Sequence, residues 1–216
     1  MNVQIFGIVI LLFSIVVHEY AHGWMAFRCG DPTAKYAGRL TLNPLPHIDI
    51  MGSIILPLFL FISRSPVLFG WAKPVPVNPV NFNNPSIDNI KVAGAGPLSN
   101  IILAVIFTAS GILSLFFVHS IQIFTIFQFG IQINLILALF NLIPLSPLDG
   151  SHILEYYIPY NWRSTYYKIQ SFGPILLLII IVSSYILPVN IFWLIIGIPY
   201  KVLYNILLTL MDFFVK

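Results

Sequence analysis

The sequence predicts an all-α polytopic membrane protein with about five transmembrane helices, one re-entrant segment and small β-strands in its polar loops. Hydrophobic residues make up 58% of the 216 positions and charged residues only 8%, whereas a soluble domain carries roughly 25% charged residues. Long apolar runs recur along the chain, and the basic residues gather in alternate connections. We expect a single integral-membrane domain over residues 1–216, because no stretch is long and polar enough to form a second globule.

Five apolar runs approach or exceed the roughly 20 residues that a membrane span needs. They are residues 3–27, 92–118, 121–143, 172–187 and 189–211, of which the fourth is short. The first run is interpreted as a retained span and not a signal peptide. No basic residue precedes it and no small-x-small cleavage site ends it.

Three other segments predict structures that do not cross the membrane. Residues 52–63 are apolar but short and are interrupted by Pro57, which favours a re-entrant or partly inserted segment. Residues 28–51 are mixed in character and contain Pro and Gly, which predicts a loop with small strands. The alternating prolines of Gly70–Asn78 predict an extended backbone, which suits an edge strand.

The distribution of the ten Lys and Arg residues predicts the topology. Nine of them lie in residues 28–91, 144–171 and 212–216, which share one side if residues 52–63 do not cross. Because basic loops stay in the cytoplasm, we expect five crossings, an external N-terminus and a cytoplasmic C-terminus. The net charge of +3 is scattered and does not predict nucleic-acid binding. The single Cys29 excludes an internal disulfide and a Cys-based zinc site.

A metal-binding pattern interrupts the first apolar run. His18 and His22 are four residues apart, so they share one face of a helix and can bind one zinc ion. Glu19 follows the first histidine and can act as general base on an attacking water. Each ionisable residue inside a span costs roughly 2.5–3.5 kcal/mol, so three of them in five positions need a reason. The alternative interpretation is a structural His/Glu cluster at the aqueous end of the span, where water hydrogen-bonds the polar side chains.

A catalytic zinc needs a third protein ligand and one open position. The candidates by residue type are His47, Asp49, His119, Asp149, His152 and Glu155. By the predicted topology, His119 falls on the opposite side of the membrane. Asp149 follows two prolines and precedes Gly150, which favours broken backbone around a wet cavity, where a carboxylate could bind metal. An ordinary Asp-Gly turn is the alternative.

These motifs together resemble the site-2 protease family of intramembrane zinc metalloproteases. The resemblance extends over roughly residues 14–155. It rests on the His-Glu-Tyr-Ala-His sequence of residues 18–22, the small-residue segment Gly94–Asn100, and the Asn-x-x-Pro and Leu-Asp-Gly motifs of Asn141–Gly150. The absence of a PDZ-like or CBS-like insertion resembles the compact members of the family.

The resemblance implies one Zn²⁺ per chain, with His18, His22 and Asp149 as metal ligands and Glu19 as the catalytic base. It also implies that Asn141 lies near the active site, where its amide could hold the substrate or the transition state. A helix-packing or helix-capping amide is the alternative for Asn141. Four other polar residues are expected to support the site or to face solvent: His47, Asp49, His152 and Glu155.

The implied activity is regulated intramembrane proteolysis, in which peptide bonds of membrane-spanning protein substrates are hydrolysed at or within the lipid bilayer. By the same resemblance the membrane is a bacterial plasma membrane, and the charge pattern places the site towards the cytoplasmic face. An unwound substrate could pair with the extended Trp71–Asn78 stretch by strand addition, with a structural edge hairpin as the alternative. A non-proteolytic membrane zinc-binding scaffold or carrier is the alternative function. No sequence pattern predicts the oligomeric state.

Overall fold

The computed structural model describes residues 3–55, 59, 62, 72–117, 121–186 and 190–215. The α-helices in these ranges are α1 (Val3–Arg28), α2 (Thr33–Tyr36), α3 (Pro85–Phe117), α4 (Ile121–Asn141), α5 (Asp149–Tyr157), α6 (Arg163–Ser171), α7 (Gly173–Ile186) and α8 (Ile191–Val215). Short 3₁₀ helices cover Leu45–His47, Pro79–Asn81 and Tyr160–Trp162, and a π-helical turn covers Ile50–Ile55.

Four helices are long and apolar enough to cross a membrane. The qualifying segments are Phe6–Arg28, Pro85–Ser114, Gln122–Asn141 and Ile191–Met211. A fifth span results if Tyr160–Ser171 and Gly173–Ser183, which meet at 49°, are counted as one bent span. The predicted number of about five spans is therefore confirmed as four to five. The chain is a multi-pass membrane protein, and its outer helical faces carry exposed large apolar side chains such as Ile198, which is 76% exposed.

Helix α3 forms the centre of the bundle, because it contacts α1, α4, α5 and α8. The largest buried core joins α3, α4 and α8 through Ala104, Ile131, Leu135 and Met211. Helix α1 packs against both α3 and α4. Helix α7 contacts α6 and α8, and its 14 residues span only about 21 Å at 1.5 Å per residue. This packing fixes the inner face of α1, which carries the metal-binding pattern.

The predicted small β-strands are wrong for the part of the chain that is described. Residues 28–51 form α2, the first 3₁₀ helix and turns, and residues 72–78 are extended without a partner strand. Pro74 and Pro76 have no backbone N–H to donate to a strand ladder. The N–H groups of the neighbouring residues are bonded elsewhere: Lys73 donates to the His47 carbonyl, Val75 to Glu19 and Asn78 to Asp31.

Parts of two predicted features lie outside the described residues. The predicted re-entrant segment, residues 52–63, is described only at its start, which belongs to the turn Ile50–Ile55, and at two isolated positions. Trp71 and His119 also lie outside the described ranges. The re-entrant segment therefore stays a prediction.

A buried carboxylate connects the end of α1 to the extended segment 72–78. Asp31 is fully buried. It accepts hydrogen bonds from the Asn78 backbone N–H at 2.7 Å, from the Asn81 amide at 2.8 Å and from Thr33. Burial by itself would raise the pKa of Asp31, but these donors outweigh it and the pKa lies below its ordinary value. The ionised carboxylate thus fixes the loop that lies over the inner end of α1.

We expect Asp31→Asn to lower the free energy of unfolding by about 2 kcal/mol, because an NH₂ group would then face N–H donors. The depressed pKa means that the wild-type stabilisation is complete above the ordinary value near 3.8 and is lost as pH falls through the folded-state value. Thermal unfolding in detergent at pH 7 and pH 3 measures both effects. The difference between wild type and variant should shrink at pH 3. Asp49→Asn, which alters a partly buried carboxylate, is the control.

Candidate metal centre

Three predicted ligand atoms converge at the inner face of α1. The Nε2 atoms of His18 and His22 are 3.0 Å apart. Asp149 Oδ2 lies 3.2 Å from His18 Nε2 and 3.3 Å from His22 Nε2. A tetrahedral zinc with bonds of about 2.0–2.1 Å needs ligand atoms about 3.3 Å apart. Among the described His, Cys, Asp and Glu residues, the group that could hold a metal ion consists of these three.

The chemistry of this cluster requires a positive charge. Asp149 Oδ2 is buried without a well-directed hydrogen bond, and its close neighbours are two imidazole nitrogens. Burial by itself would raise the pKa of Asp149, but the contacts with His18 and His22 hold it at about 2, so the carboxylate is ionised at neutral pH. The required charge can come from protons on the imidazoles or from a metal cation between the three atoms. The residues present therefore fit a zinc ion.

The far side of each imidazole is held by a hydrogen bond from α3. His22 Nδ1 lies 2.7 Å from the Val92 carbonyl oxygen, which can only accept, so this nitrogen carries the proton. His18 Nδ1 lies 2.6 Å from Asn100 Oδ1. With the proton on Nδ1, the Nε2 lone pair of each ring faces the cluster, as metal binding requires.

Helix α3 approaches the two histidines at Gly96. A Cβ atom at this position would lie 2.6 Å from His18 Nε2 and closer still to His22 Nε2. The space beside both ligand nitrogens therefore exists because residue 96 has no side chain. Pro97 follows inside the helix and lacks the N–H that would bond the Ala93 carbonyl, which loosens α3 beside the site.

Asp149 is brought to the cluster by the start of α5. Gly150 lies within helix α5. It does not have a positive φ angle, since the glycines with positive φ in the described chain are Gly30 and Gly38. The broken backbone that the sequence favours around Asp149 is therefore not provided by Gly150. Glycine is needed there for close approach, because a Cβ would lie 2.5 Å from the Ile143 carbonyl oxygen. The first turn of α5 therefore packs closely against the start of the Asn141–Leu148 connection.

Glu19 lies beside the cluster but does not belong to it. Its Oε2 accepts a hydrogen bond from the Val75 backbone N–H at 2.8 Å, so the extended segment 72–78 orients this carboxylate. Asn141 ends α4 and donates its amide to the Leu137 carbonyl one turn earlier at 3.0 Å. Both Glu19 and Asn141 also line cavities next to the cluster.

Two cavities of contrasting polarity meet at the site. A mainly apolar cavity of about 440 Å³ lies between α1, α4 and α7, with Leu137, Phe140 and Leu177 in its wall. A more polar cavity of about 370 Å³ lies on the side of the extended segment 72–78 and α5. Four residues border both cavities: His18, Glu19, Asn141 and Pro147.

The other candidate ligands lie apart from the cluster. His47 is buried, with Nε2 placed 3.0 Å from the Thr41 carbonyl oxygen, and its own carbonyl accepts from Lys73. Asp49 accepts from the Gly52 N–H. His152 has a 55% exposed side chain, borders the polar cavity and lies 3.8 Å from Glu155. In this structure His47 and Asp49 form hydrogen bonds within the loop and His152 faces the polar cavity, so these residues stay outside the metal cluster.

The sequence reasoning did not identify the residues that orient the ligands. Val92, Gly96 and Asn100 lie in or beside the segment Gly94–Asn100, whose small residues support the family resemblance but do not indicate what orients His18 and His22. The signal for Asn100 was its polarity inside an apolar span, where an amide needs buried partners. The carbonyl of Val92 carries no signal in the sequence, because every residue has one.

We expect Gly96→Ala to lower zinc affinity at least tenfold, because the new methyl group would displace His18 and His22 from their ligand positions. Gly94→Ala is the matched control, since a Cβ at this position of the same helix meets nothing within 4 Å. Zinc affinity is measured by competition with a chromogenic chelator. Equal affinities of the two variants would contradict the close approach of α3.

Comparison with known proteins places the chain in a family. Residues 109–184 match the model of Peptidase family M50. A Bacillus subtilis protein named "Putative zinc metalloprotease YwhC" is 39% identical over 191 residues, which cover 83% of each chain. Rip2 proteins named in the same way from Mycolicibacterium smegmatis and Mycobacterium tuberculosis are 27% and 28% identical, over 80% of this chain and 64% of theirs. No solved structure matches the chain.

These relatives carry the name of zinc metalloproteases, and the cluster of His18, His22 and Asp149 has the residue types and spacing to hold that metal. The expected cofactor, Zn²⁺, is thereby supported. The chain belongs to Peptidase family M50, the site-2 protease family of zinc metalloproteases.

Proposed function

We propose that the protein is an intramembrane zinc metalloprotease that hydrolyses peptide bonds of membrane-spanning protein substrates. One observation carries the proposal: His18, Glu19 and His22 lie inside an apolar span, and His18 and Glu19 border both an apolar and a polar cavity. A peptide from the bilayer can place apolar side chains in the first cavity. Water can reach the same atoms from the second.

The proposed metal ligands are His18, His22 and Asp149. Bound Zn²⁺ would supply Lewis acidity at this position, polarising the scissile carbonyl and acidifying water. The two imidazoles are neutral ligands, and Asp149 contributes the single negative charge. This set leaves a fourth position for a non-protein group, as a catalytic zinc site requires.

Glu19 is the proposed general base. Its carboxylate is partly buried beside His18 and is held by the Val75 N–H. It takes a proton from the attacking water and returns it to the leaving amine, so no covalent intermediate is needed. Among the described residues, the hydrogen bond that Glu19 accepts comes from Val75, which leaves acceptor capacity on the carboxylate for the water.

Substrate contact with the extended segment 72–78 is restricted. The N–H groups of Lys73 and Val75 are already bonded within the protein, and two prolines supply none on the other edge. This geometry does not support strand addition along the Lys73–Val75 edge. The segment instead braces Glu19 and forms a wall of the polar cavity.

The proposed membrane arrangement has five crossings, with the bent Tyr160–Ser183 segment as one of them. Seven of the ten basic residues then lie in residues 28–91 and 212–216, on the cytoplasmic side of a bacterial plasma membrane. Arg163 and Lys168 lie in the first helix of the bent segment, next to the same side. In this arrangement the polar cavity, bordered by Pro79, Asn89 and His152, opens towards the cytoplasm.

We expect Glu19→Gln to retain zinc and to lose at least 100-fold in the rate of cleavage of a model transmembrane substrate in proteoliposomes. Glutamine keeps an acceptor for the Val75 N–H but cannot take a proton. Glu155→Gln, which removes a carboxylate of α5 outside the cluster, is the control. Full cleavage by Glu19→Gln would refute the mechanism. A wild-type protein that binds zinc but does not cleave the substrate, even after its zinc has been removed with a chelator and restored, would instead favour a scaffold or carrier.

Asn141→Leu separates the two interpretations of that amide. If the amide contacts the transition state, we expect the cleavage rate to fall about 10²–10³-fold with unchanged zinc affinity. If the amide serves only α4 through the Leu137 carbonyl, stability falls by about 1 kcal/mol and the rate at a permissive temperature is unchanged. Measuring rate and melting temperature together decides between them.

A further inference from the structure

A chain of buried amides leads from His18 to the interior of the bundle. Asn100 on α3 and Asn134 on α4 are both fully buried, as is Ser14, which lies one turn before His18 on α1. The Asn100 amide NH₂ donates to Asn134 Oδ1 at 3.0 Å and to the Ser14 carbonyl at 3.3 Å. The Asn134 amide NH₂ donates to the Gly130 carbonyl and to Ser14 Oγ, each at 2.9 Å.

The direction of these hydrogen bonds is fixed at its far end. A backbone carbonyl can only accept, so Gly130 requires that Asn134 turn its NH₂ towards it. Asn134 Oδ1 then faces Asn100 and requires the NH₂ group of that amide. The Ser14 carbonyl imposes the same orientation on Asn100. Turning either amide over would place oxygen against oxygen in a buried site.

The same chain determines which nitrogen of His18 carries its proton. With the NH₂ group of Asn100 turned away, its Oδ1 faces His18 Nδ1 at 2.6 Å and accepts a hydrogen bond from the N–H at that position. The Nε2 lone pair of His18 is then free to bind metal. His22 needs no such relay, because its Nδ1 bonds a backbone carbonyl directly.

We propose that Asn100 and Asn134 are positioning residues that fix the ligand tautomer of His18 through this relay, ending on the carbonyls of Gly130 and Ser14. Neither residue touches the metal position. The relay joins α1, α3 and α4, so the packing of these three helices sets zinc affinity. The inference rests on the metal centre of the proposed function but not on proteolysis, and its test measures metal binding alone.

Zinc affinity of the full-length protein, measured by chelator competition, tests the relay. We expect Asn100→Leu to bind zinc about 10–100-fold more weakly, and Asn134→Leu about 10-fold more weakly because the Ser14 carbonyl still orients Asn100. Asn100→Asp keeps an acceptor for the His18 Nδ1–H but loses the donor to Asn134 and Ser14, so its loss of affinity should be clearly smaller than that of Asn100→Leu. Thr108→Val, which removes a buried hydroxyl from α3 outside the relay, should leave zinc affinity unchanged.

Two results would overturn the proposal: unchanged zinc affinity in Asn100→Leu, or equal losses in Asn100→Leu and Asn100→Asp, which would indicate a packing role. If the leucine variants do not fold, nuclear magnetic resonance of the wild-type protein tests the proposal. With ¹¹³Cd bound, nitrogen-15 spectra should show cadmium coupling to Nε2 and a proton on Nδ1 for two histidines. Coupling to an Nδ1, or a coordinated histidine without a proton on Nδ1, would contradict the relay.

Discussion

The structure depends on one electrostatic constraint: two imidazole nitrogens and a carboxylate oxygen lie within 3.3 Å of one another in an apolar bundle. Such a group is unfavourable unless a cation or protons neutralise it, and lipid offers neither water nor counterions to do so. The elements around the cluster position its three side chains. Helix α3 comes close at Gly96, α5 delivers Asp149, and hydrogen bonds hold both rings from behind.

The polar groups of the bundle interior are paired with one another, which limits the energetic penalty of placing them in a membrane protein. Ser14, Asn100 and Asn134 are buried, and their side chains hydrogen-bond one another and backbone carbonyls. A fully satisfied network of this kind also specifies one packing of the helices, because a shift of α3 would leave several donors and acceptors unpaired. The position of the metal ligands and the packing of α1, α3 and α4 are therefore coupled.

The site joins an apolar and a polar cavity, which are the two environments that the proposed hydrolysis of a membrane peptide requires. Apolar side chains of α4 and α7 line one approach, and the extended segment 72–78 with α5 lines the other. His18 and Glu19 border both cavities, so under the proposed function an apolar peptide and water could meet beside them. Helix α7 is short and packs mainly on α8, which leaves the apolar cavity beside α1 partly open.

The sequence by itself determined the class of the protein and predicted its four principal site residues. Apolar runs must face lipid, and the spacing of His18 and His22 places both on one helical face. The Asn-x-x-Pro and Leu-Asp-Gly motifs indicated Asp149 through a family resemblance that the comparisons support. Such features are local or follow from composition, so they can be read without a structure.

Only the tertiary structure decided what surrounds these residues. Strands were predicted from alternating prolines, but the N–H groups of that segment bond to Glu19, Asp31 and His47 instead. Gly150 matters for close approach and not for its backbone angles. The partners of His18 and His22 are an amide and a carbonyl 82 and 70 residues away. Contacts over such separations depend on helix packing, which no local pattern encodes.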